Sequence, residues 1–278
     1  MKAVRLANRA LLSLQGSETI PFLQGLLSKD LNGFSQSKCL YSFLLNAKGR
    51  IVSDLIVYKN NDENILLEAD ADKLNDLERL LKLYRLRKKI DISRPKDDVS
   101  FIFPESKDVP DDAVDDPRLG SSFGKRYIGK IEGFNDLKLE DYTRRRLEFG
   151  IGEGSDELLD QIPLNVNGDI LGGVDFDKGC YIGQELVART HHTGIIRKRI
   201  MPFRTIGKPK EGSNVVDLEG KRRGKIVKAM DGIGIAVISL EAVGTNVPMI
   251  SELKEKMEFR RPDWWPSTVK LGPPQVPS

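Results

Sequence analysis

Residues 178–199 read K-G-C-Y-I-G-Q-E-L-V-A-R-T-H-H-T-G-I-I-R-K-R. One of the chain's two cysteines, Cys180, and both of its histidines, His191 and His192, fall inside this window. Glycines stand on both sides of the cysteine, and Gly179 and Gly183 are read as backbone requirements for tight turns. From Gln184 through Glu185 to Arg189 the composition predicts the first turns of a helix. A cysteine just ahead of a helix faces the positive end of its dipole, and Lys178 adds a cation two residues away. Both favour the thiolate, which is the nucleophile and the soft-metal ligand. Lys178 and Glu185 are each read as fixing this loop or as touching a ligand.

Several chemistries use a cysteine near a histidine. A cysteine hydrolase also needs an oxyanion hole and a cleft, and nothing else in the chain points to hydrolysis. A structural zinc site needs paired ligand spacings that one cysteine and two adjacent histidines do not supply. On a strand, neighbouring histidines face opposite ways and do not serve one metal. A lone thiolate plus an imidazole from His191 or His192 can instead complete an iron or iron–sulfur site whose remaining ligands come from a second protein. Reversible oxidation of Cys180 is a third use of the same sulfur. Cys39, in S-K-C-L-Y-S-F, reads as a buried strand cysteine.

Upstream, L-L-S-L-Q-G at 11–16 predicts a strand, followed by a helix capped by Ser17 or Thr19 with Ile20, Leu23, Leu26 and Leu27 on one face. Y-S-F-L-L-N and I-V-S-D-L-I-V-Y flank N-A-K-G-R and predict a hairpin; N-I-L-L-E-A is a third strand. Asp70 or Asp72 opens a helix carrying Leu74, Leu77, Leu81 and Tyr84, whose end is basic (Arg85, Arg87, Lys88, Lys89) as the helix dipole favours. K-I-D-I-S and V-S-F-I-F follow as strands, so this part reads as a small α+β lobe with a largely antiparallel sheet. Residues 105–120 hold three prolines nearby and five aspartates between 108 and 116, and read as a solvated loop. A helix at 139–150 closes on a Gly cap, and 151–177 reads as loops. From 199 onward, short strands with tight turns predict a separate small barrel or sandwich. Pro262, Pro266 and the G-P-P-Q-V-P-S end mark a weakly ordered tail. Within it, Trp264 and Trp265 are a plug on the body or a recognition feature.

The chain has 278 residues, 39% apolar and 31% charged, with net charge +3. This composition is that of a globular protein and argues against a dedicated nucleic-acid binder. Two distant cysteines give no disulfide framework and suit a reducing compartment. No apolar run approaches the roughly 20 residues of a membrane span. The opening M-K-A-V-R-L-A-N-R-A is basic and free of acids; it reads as the lead-in to the first strand or as the remnant of an organelle presequence.

K-G-C-Y-I-G-Q-E followed by A-R-T-H-H-T-G-I-I-R-K-R resembles the signature of the YgfZ-type branch of the glycine-cleavage T-protein superfamily. The double histidine and the closing R-R-P-D-W-W-P look most like the branch's mitochondrial iron–sulfur cluster assembly factors. P-F-L-Q-G-L-L-S-K-D-L and Y-R-L-R-K-K-I extend the likeness over most of the chain. The resemblance implies an α+β, T-protein-like folate-binding fold: a folate-binding region over 1–195 with a ferredoxin-like lobe at about 41–135, a small β-barrel at 196–262, and a tail at 263–278. It implies that Lys178, Gly179, Cys180, Tyr181, Gly183, Gln184, Glu185, His191 and His192 form the functional motif. Cys180 would be the working thiolate and the ligand of a transient [2Fe–2S] cluster shared with an A-type scaffold protein, in the maturation of [4Fe–4S] proteins in the mitochondrial matrix; a bacterial or cytosolic setting is the alternative. It implies an assembly role over classical enzyme turnover. The alternative reading is a tetrahydrofolate-dependent aminomethyl transferase. For folate, the likeness points to Asp54 in G-R-I-V-S-D-L-I, Asn165 after Pro163-Leu164, and Arg189. Here Ser53 stands beside Asp54 where the T-protein strand has a second carboxylate, and Asn165 stands where relatives carry a glutamate. No strong general acid/base pair is visible. Arg189, Arg197, Lys198 and Arg199 are read as positive charge around the motif.

Overall fold

The chain begins with two short strands, β1 (Ala3–Arg5) and β2 (Arg9–Gln15), then helix α1 (Thr19–Gln24). The hairpin predicted around N-A-K-G-R is β3 (Cys39–Leu45) and β4 (Ile51–Lys59), antiparallel with Tyr41 opposite Ile56. β5 (Asn64–Asp70), α2 (Leu74–Arg85) and β6 (Asp91–Ser93) follow. They complete a five-stranded sheet of order β3-β4-β5-β2-β6. The computed structural model describes residues 1–131 and 137–272.

Strand alternation explains why this sheet is buried on both faces. Leu12 and Leu14, Leu40 and Leu44, Leu55 and Val57, and Ile65 and Leu67 point to one side. There they meet α1 and α2, which contribute Phe22 and Leu23, and Leu74, Leu77 and Leu81. The i, i+3, i+7 spacing on α2 makes one apolar stripe, and each fully buried leucine contributes about 2 kcal/mol. The opposite face carries Leu11, Tyr41, Phe43, Leu45, Ile56 and Tyr58 into a second core. The same alternation sends Arg9, Asp54 and Glu68 to that second face.

A second sheet, order β1-β7-β9-β8, packs over this face. It is built from β1, β7 (Val99–Ile102), β8 (Val114–Asp115) and β9 (Lys125–Ile128). The lobe expected over about 41–135 is therefore drawn differently. Its sheet takes β2 from upstream, while residues 99–128 belong to the second sheet; the expected end at 135 lies outside the described residues. Alternation sets which face a side chain takes, but not which strand becomes its neighbour. Helix α3 (Leu139–Phe149) ends at Gly150 in the left-handed conformation, φ 72°, as its predicted cap requires. A short α4 (Ser155–Leu158) and α5 (Gln184–Thr193) lie in the loop-rich stretch that follows.

The remaining strands are β10 (Lys198–Thr205), β11 (Asn214–Asp217), β12 (Arg222–Met230), β13 (Ile233–Ser239), β14 (Met249–Ser251) and β15 (Lys256–Phe259), with α6 (Leu240–Gly244) between β13 and β14. They close into a barrel of order β10-β13-β12-β11-β14-β15. Residues 263–272, expected as the start of a tail, are held on this barrel. Trp265 is buried among Met201, Phe203 and Ile238. Trp264 donates its indole N–H to the Phe149 carbonyl at 2.8 Å, and Gly272 N donates to Leu240 O. The two rings meet edge to face at 6.3 Å, so neighbouring tryptophans plug two different places. The end from 273 lies outside the described residues. Among the described residues, no helix is long and apolar enough to cross a membrane.

Two local expectations change. Glu18, not Ser17 or Thr19, is the N-cap of α1, and its carboxylate accepts the Lys89 backbone N–H at 2.8 Å. The loop at 105–120 is only partly solvated: it contains β8, and Asp116 and Arg118 are buried.

Candidate functional site

Cys180 is exposed on a loop between Val174 and α5 that is tied down on both sides of the sulfur. At its start, Asp175 accepts from the Lys29 ammonium at 2.9 Å and the Asp30 N–H at 2.8 Å. The Phe176 ring then stacks on His191, centroids 3.5 Å apart and nearly parallel. The Lys178 ammonium donates to three backbone carbonyls, Gln24 O at 2.9 Å, Leu27 O at 2.6 Å and Lys29 O at 3.1 Å. It also lies 4.9 Å from the centre of the Tyr181 ring. Beyond the cysteine, Ile182 N donates to Gly25 O, and Tyr181 N donates to the Gln184 side chain at 3.1 Å.

Gly183 has φ +82°, and a Cβ there would stand 2.3 Å from Asn46 O. Only glycine lets the loop settle on the β3–β4 hairpin, as expected. Gly179 is different: a Cβ would meet nothing within 4 Å, so the backbone makes no such demand there.

Lys178 therefore has a role other than that of a neighbouring cation. Its three donors are committed to Gln24 O, a carbonyl of the last turn of α1 with no intrahelical partner, and to Leu27 O and Lys29 O in the segment after it. Burial pushes its pKa down to about 8, against the opposing pull of Asp30 and Asp175. Tyr181 is buried beside it, and burial pushes the phenol up to about 12. Glu185 is exposed in the first turn of α5, where a carboxylate suits the dipole. His191 and His192 are in the last turn of α5, not on a strand, with rings 5.8 Å apart. His191 is held by Phe176, a contact the sequence reading missed; the only signal was an aromatic beside the acidic pair Asp175 and Asp177. Among the described residues, no three His, Cys, Asp or Glu side chains are grouped to hold a metal ion.

Cys39 is the opposite case. It is 2% exposed, its thiol donates to Asp115 O, and burial pushes its pKa up to about 12. The charge expected around the motif also divides. Arg189, Arg197 and Lys198 are exposed, but Arg199 is buried, paired with Asp169 at 2.7 Å and lying over the Trp265 ring.

The folate candidates differ in setting: Asp54 is buried, Asn165 half-buried and Arg189 exposed. Asp54 is 2% exposed, bound to Arg9 at 3.2 Å and to the Gly154 N–H at 3.1 Å. It is thus neither open to a ligand nor solvent-facing, and the space beside it is only about 10 Å³, room for roughly one water. Asn165 is half-buried in the 163–166 turn, and Arg189 lies on the exposed side of α5. The small space lined by Asp54 has neither Asn165 nor Arg189 in its wall. A larger cavity of about 620 Å³ lies between α3 and the barrel, beside Phe149, Phe203, Phe259 and Trp264, away from Cys180.

Asp54 belongs to a buried network that was illegible in the sequence. Arg126 donates to Glu68 at 2.6 Å, Asp116 at 2.9 Å, Glu153 at 2.9 Å and the Tyr142 hydroxyl at 2.6 Å. Arg118 joins Asp116 and Glu153, and Arg9 joins Glu68 and Asp54. Burial alone would raise the carboxyl pKa values. The arginines overcome it, holding Asp116 at about 2 and Glu153 well below its usual range.

Residues 197–267 match the family model "CAF17, C-terminal beta-barrel domain". Over its whole length the chain is similar to solved aminomethyltransferase T of the glycine cleavage system from Bartonella henselae. The TM-score is 0.72 at 14% identity, covering 99% of this chain and 88% of that one. That likeness is one of fold. The iron-sulfur cluster assembly factor IBA57, mitochondrial, of Mus musculus is 31% identical over 311 residues, covering 96% of this chain and 86% of the mouse protein. The Homo sapiens protein of the same name is 31% identical over 307 residues, with the same coverage. The IBA57 homolog of Coccidioides immitis is 30% identical, covering 90% of this chain and 73% of its own length. With its T-protein-like fold, its closed C-terminal barrel and its exposed Cys180 loop, the chain belongs to the IBA57 family of iron–sulfur cluster assembly factors.

Proposed function

We propose that this chain acts in iron–sulfur cluster assembly in the mitochondrial matrix, promoting maturation of [4Fe–4S] proteins. Cys180 supplies one ligand to a [2Fe–2S] cluster shared with an A-type scaffold protein. The observation that carries this reading is an exposed sulfur on a loop fixed by Asp175, Phe176 and Lys178. Binding is a ligand exchange: Cys180 releases its proton to solvent, an S–Fe bond forms, and the scaffold ligand that leaves the iron takes up a proton. Because this chain groups no full ligand set among its described residues, the other ligands come from the partner. His191 or His192 is the candidate for a second ligand from this side. Stacked on Phe176, with the His192 ring edge-on to it, the His191 ring is oriented as an imidazole ligand requires. The transferase reading has no support in the geometry around Asp54, whose carboxylate is committed to Arg9 and Gly154.

The test is anaerobic reconstitution with an A-type scaffold carrying [2Fe–2S], read by visible absorbance and circular dichroism. A shared-cluster spectrum should form with the native chain and be absent with Cys180→Ala. An unchanged spectrum with Cys180→Ala would refute the ligand role.

A further inference from the structure

The end of α2 carries a conformation that leucine rarely adopts. The chain leaves the helix through Leu86 at φ 51° and ψ −114°, a left-handed turn that glycine would occupy without strain. The surroundings enforce it. Arg85 donates to Ile90 O at 2.7 Å, Lys88 N donates to Arg85 O at 3.0 Å, and Lys89 N donates to the Glu18 carboxylate at 2.8 Å. The result is that Leu86 projects outward, 81% exposed, with Leu83 65% exposed one turn earlier. Arg87, Lys88 and Lys89 are exposed around them. Lys88 meets Glu18 at 3.5 Å, while among the described residues the side chains of Arg87 and Lys89 meet no carboxylate. A helix dipole accounts for cations at this end but not for two unburied leucines among them.

The position of this turn ties it to Cys180. Glu18, which receives Lys89, is the N-cap of α1; Gln24 O and Gly25 O, at the other end of α1, receive Lys178 and Ile182 of the cysteine loop. A helix of six residues separates the two, roughly 9 Å along its axis. A standard interface covers about 800 Å² on each partner, wide enough to take in both.

We propose that the Leu83–Lys89 turn is a docking surface for the acidic face of the protein that brings the cluster to Cys180, with Leu83 and Leu86 as its apolar anchors. This rests on the reading of Cys180 as a ligand donor. Opposite charge speeds and orients encounter, and the leucines then hold the complex.

The test titrates the full chain with the [2Fe–2S]-loaded A-type scaffold at low and physiological salt, measuring affinity and chromophore separately. The double variant Arg87→Glu/Lys89→Glu should bind at least about tenfold more weakly at low salt and lose most of the salt dependence. Leu86→Gly should also bind about tenfold more weakly while melting no lower than the native chain, because glycine relaxes the turn. Misfolding therefore cannot mimic the result. Cys180→Ala should still dock but form no shared chromophore. Native affinity in both turn variants would overturn the docking surface and leave the role of Cys180 standing. Docking without chromophore in the native chain would remove the ligand role and leave the surface to be judged by the turn variants. Unchanged scaffold affinity, with turn-dependent binding to vesicles of phosphatidylcholine and phosphatidylglycerol, would overturn the proposal in favour of a membrane surface.

Discussion

The interior beneath Asp54 and the loop around Cys180 both depend on cations, in opposite ways. Inside, Arg9, Arg118 and Arg126 are fully buried and meet carboxylates. Together they join β2, β4, β5, β9 and the base of α3, so that charge pairing fastens two sheets and a helix. At the loop, Lys178 meets no carboxylate oxygen in hydrogen-bond range among the described residues; its ammonium is bound to three carbonyls and holds a short segment. The interior network leaves no space for a ligand. The loop leaves one reactive atom outside. Charge buried among counter-charges makes structure, whereas a single latch under an exposed side chain leaves chemistry free.

The largest effect that can break this contrast is Arg126→Met. It removes the donor shared by Glu68, Asp116 and Glu153, and should cost about 3–5 kcal/mol, read as a lower denaturant midpoint. A midpoint within error of the native one would show that the network does not fasten the sheets. Acid should act on the same region. Asp116 is held at about 2, below its ordinary 3.8. A depressed carboxyl contributes stability that is present above the higher value and lost as pH falls towards the lower. Thermal unfolding between pH 4 and pH 2 should therefore show a loss of about 2 kcal/mol from this group.

At the loop the effects on stability shrink and those on reactivity grow. Lys178→Met frees three carbonyls that water can partly reach, so it should cost about 1 kcal/mol. It should also raise hydrogen exchange across 176–183 and the rate of Cys180 alkylation. Unaltered exchange there would mean that Lys178 is no latch. Cys180→Ser should change stability by less than about 0.5 kcal/mol while abolishing the shared-cluster spectrum. A large fall in melting temperature would show that the sulfur contributes packing after all.

Much of the fold was legible in the residues. The β3–β4 hairpin, α2 with its apolar stripe and α3 with its Gly150 cap each follow from local periodicity and turn chemistry. Within the site, the place of Cys180 just ahead of a helix and the need for glycine at 183 were legible for the same reason. Asp116, Asp54 and Arg199 were misread. An aspartate in a Pro- and Asp-rich loop carries no local mark of burial, and Asp54 looks like any polar residue of an alternating strand. The stacking of Phe176 on His191 joins residues on opposite sides of the cysteine, and no period encodes it.

The amino-acid sequence by itself determined the elements, the family and the loop that presents Cys180, because helix and strand periods, glycine conformations and a contiguous motif are all local properties. Only the tertiary structure decided which strands pair, that Asp54 serves Arg9, that Lys178 closes the end of α1, and that Leu86 stands out at the end of α2. Each of these depends on groups far apart in the chain arriving within a few ångströms, and burial then fixes whether a charge becomes a fastening or stays available.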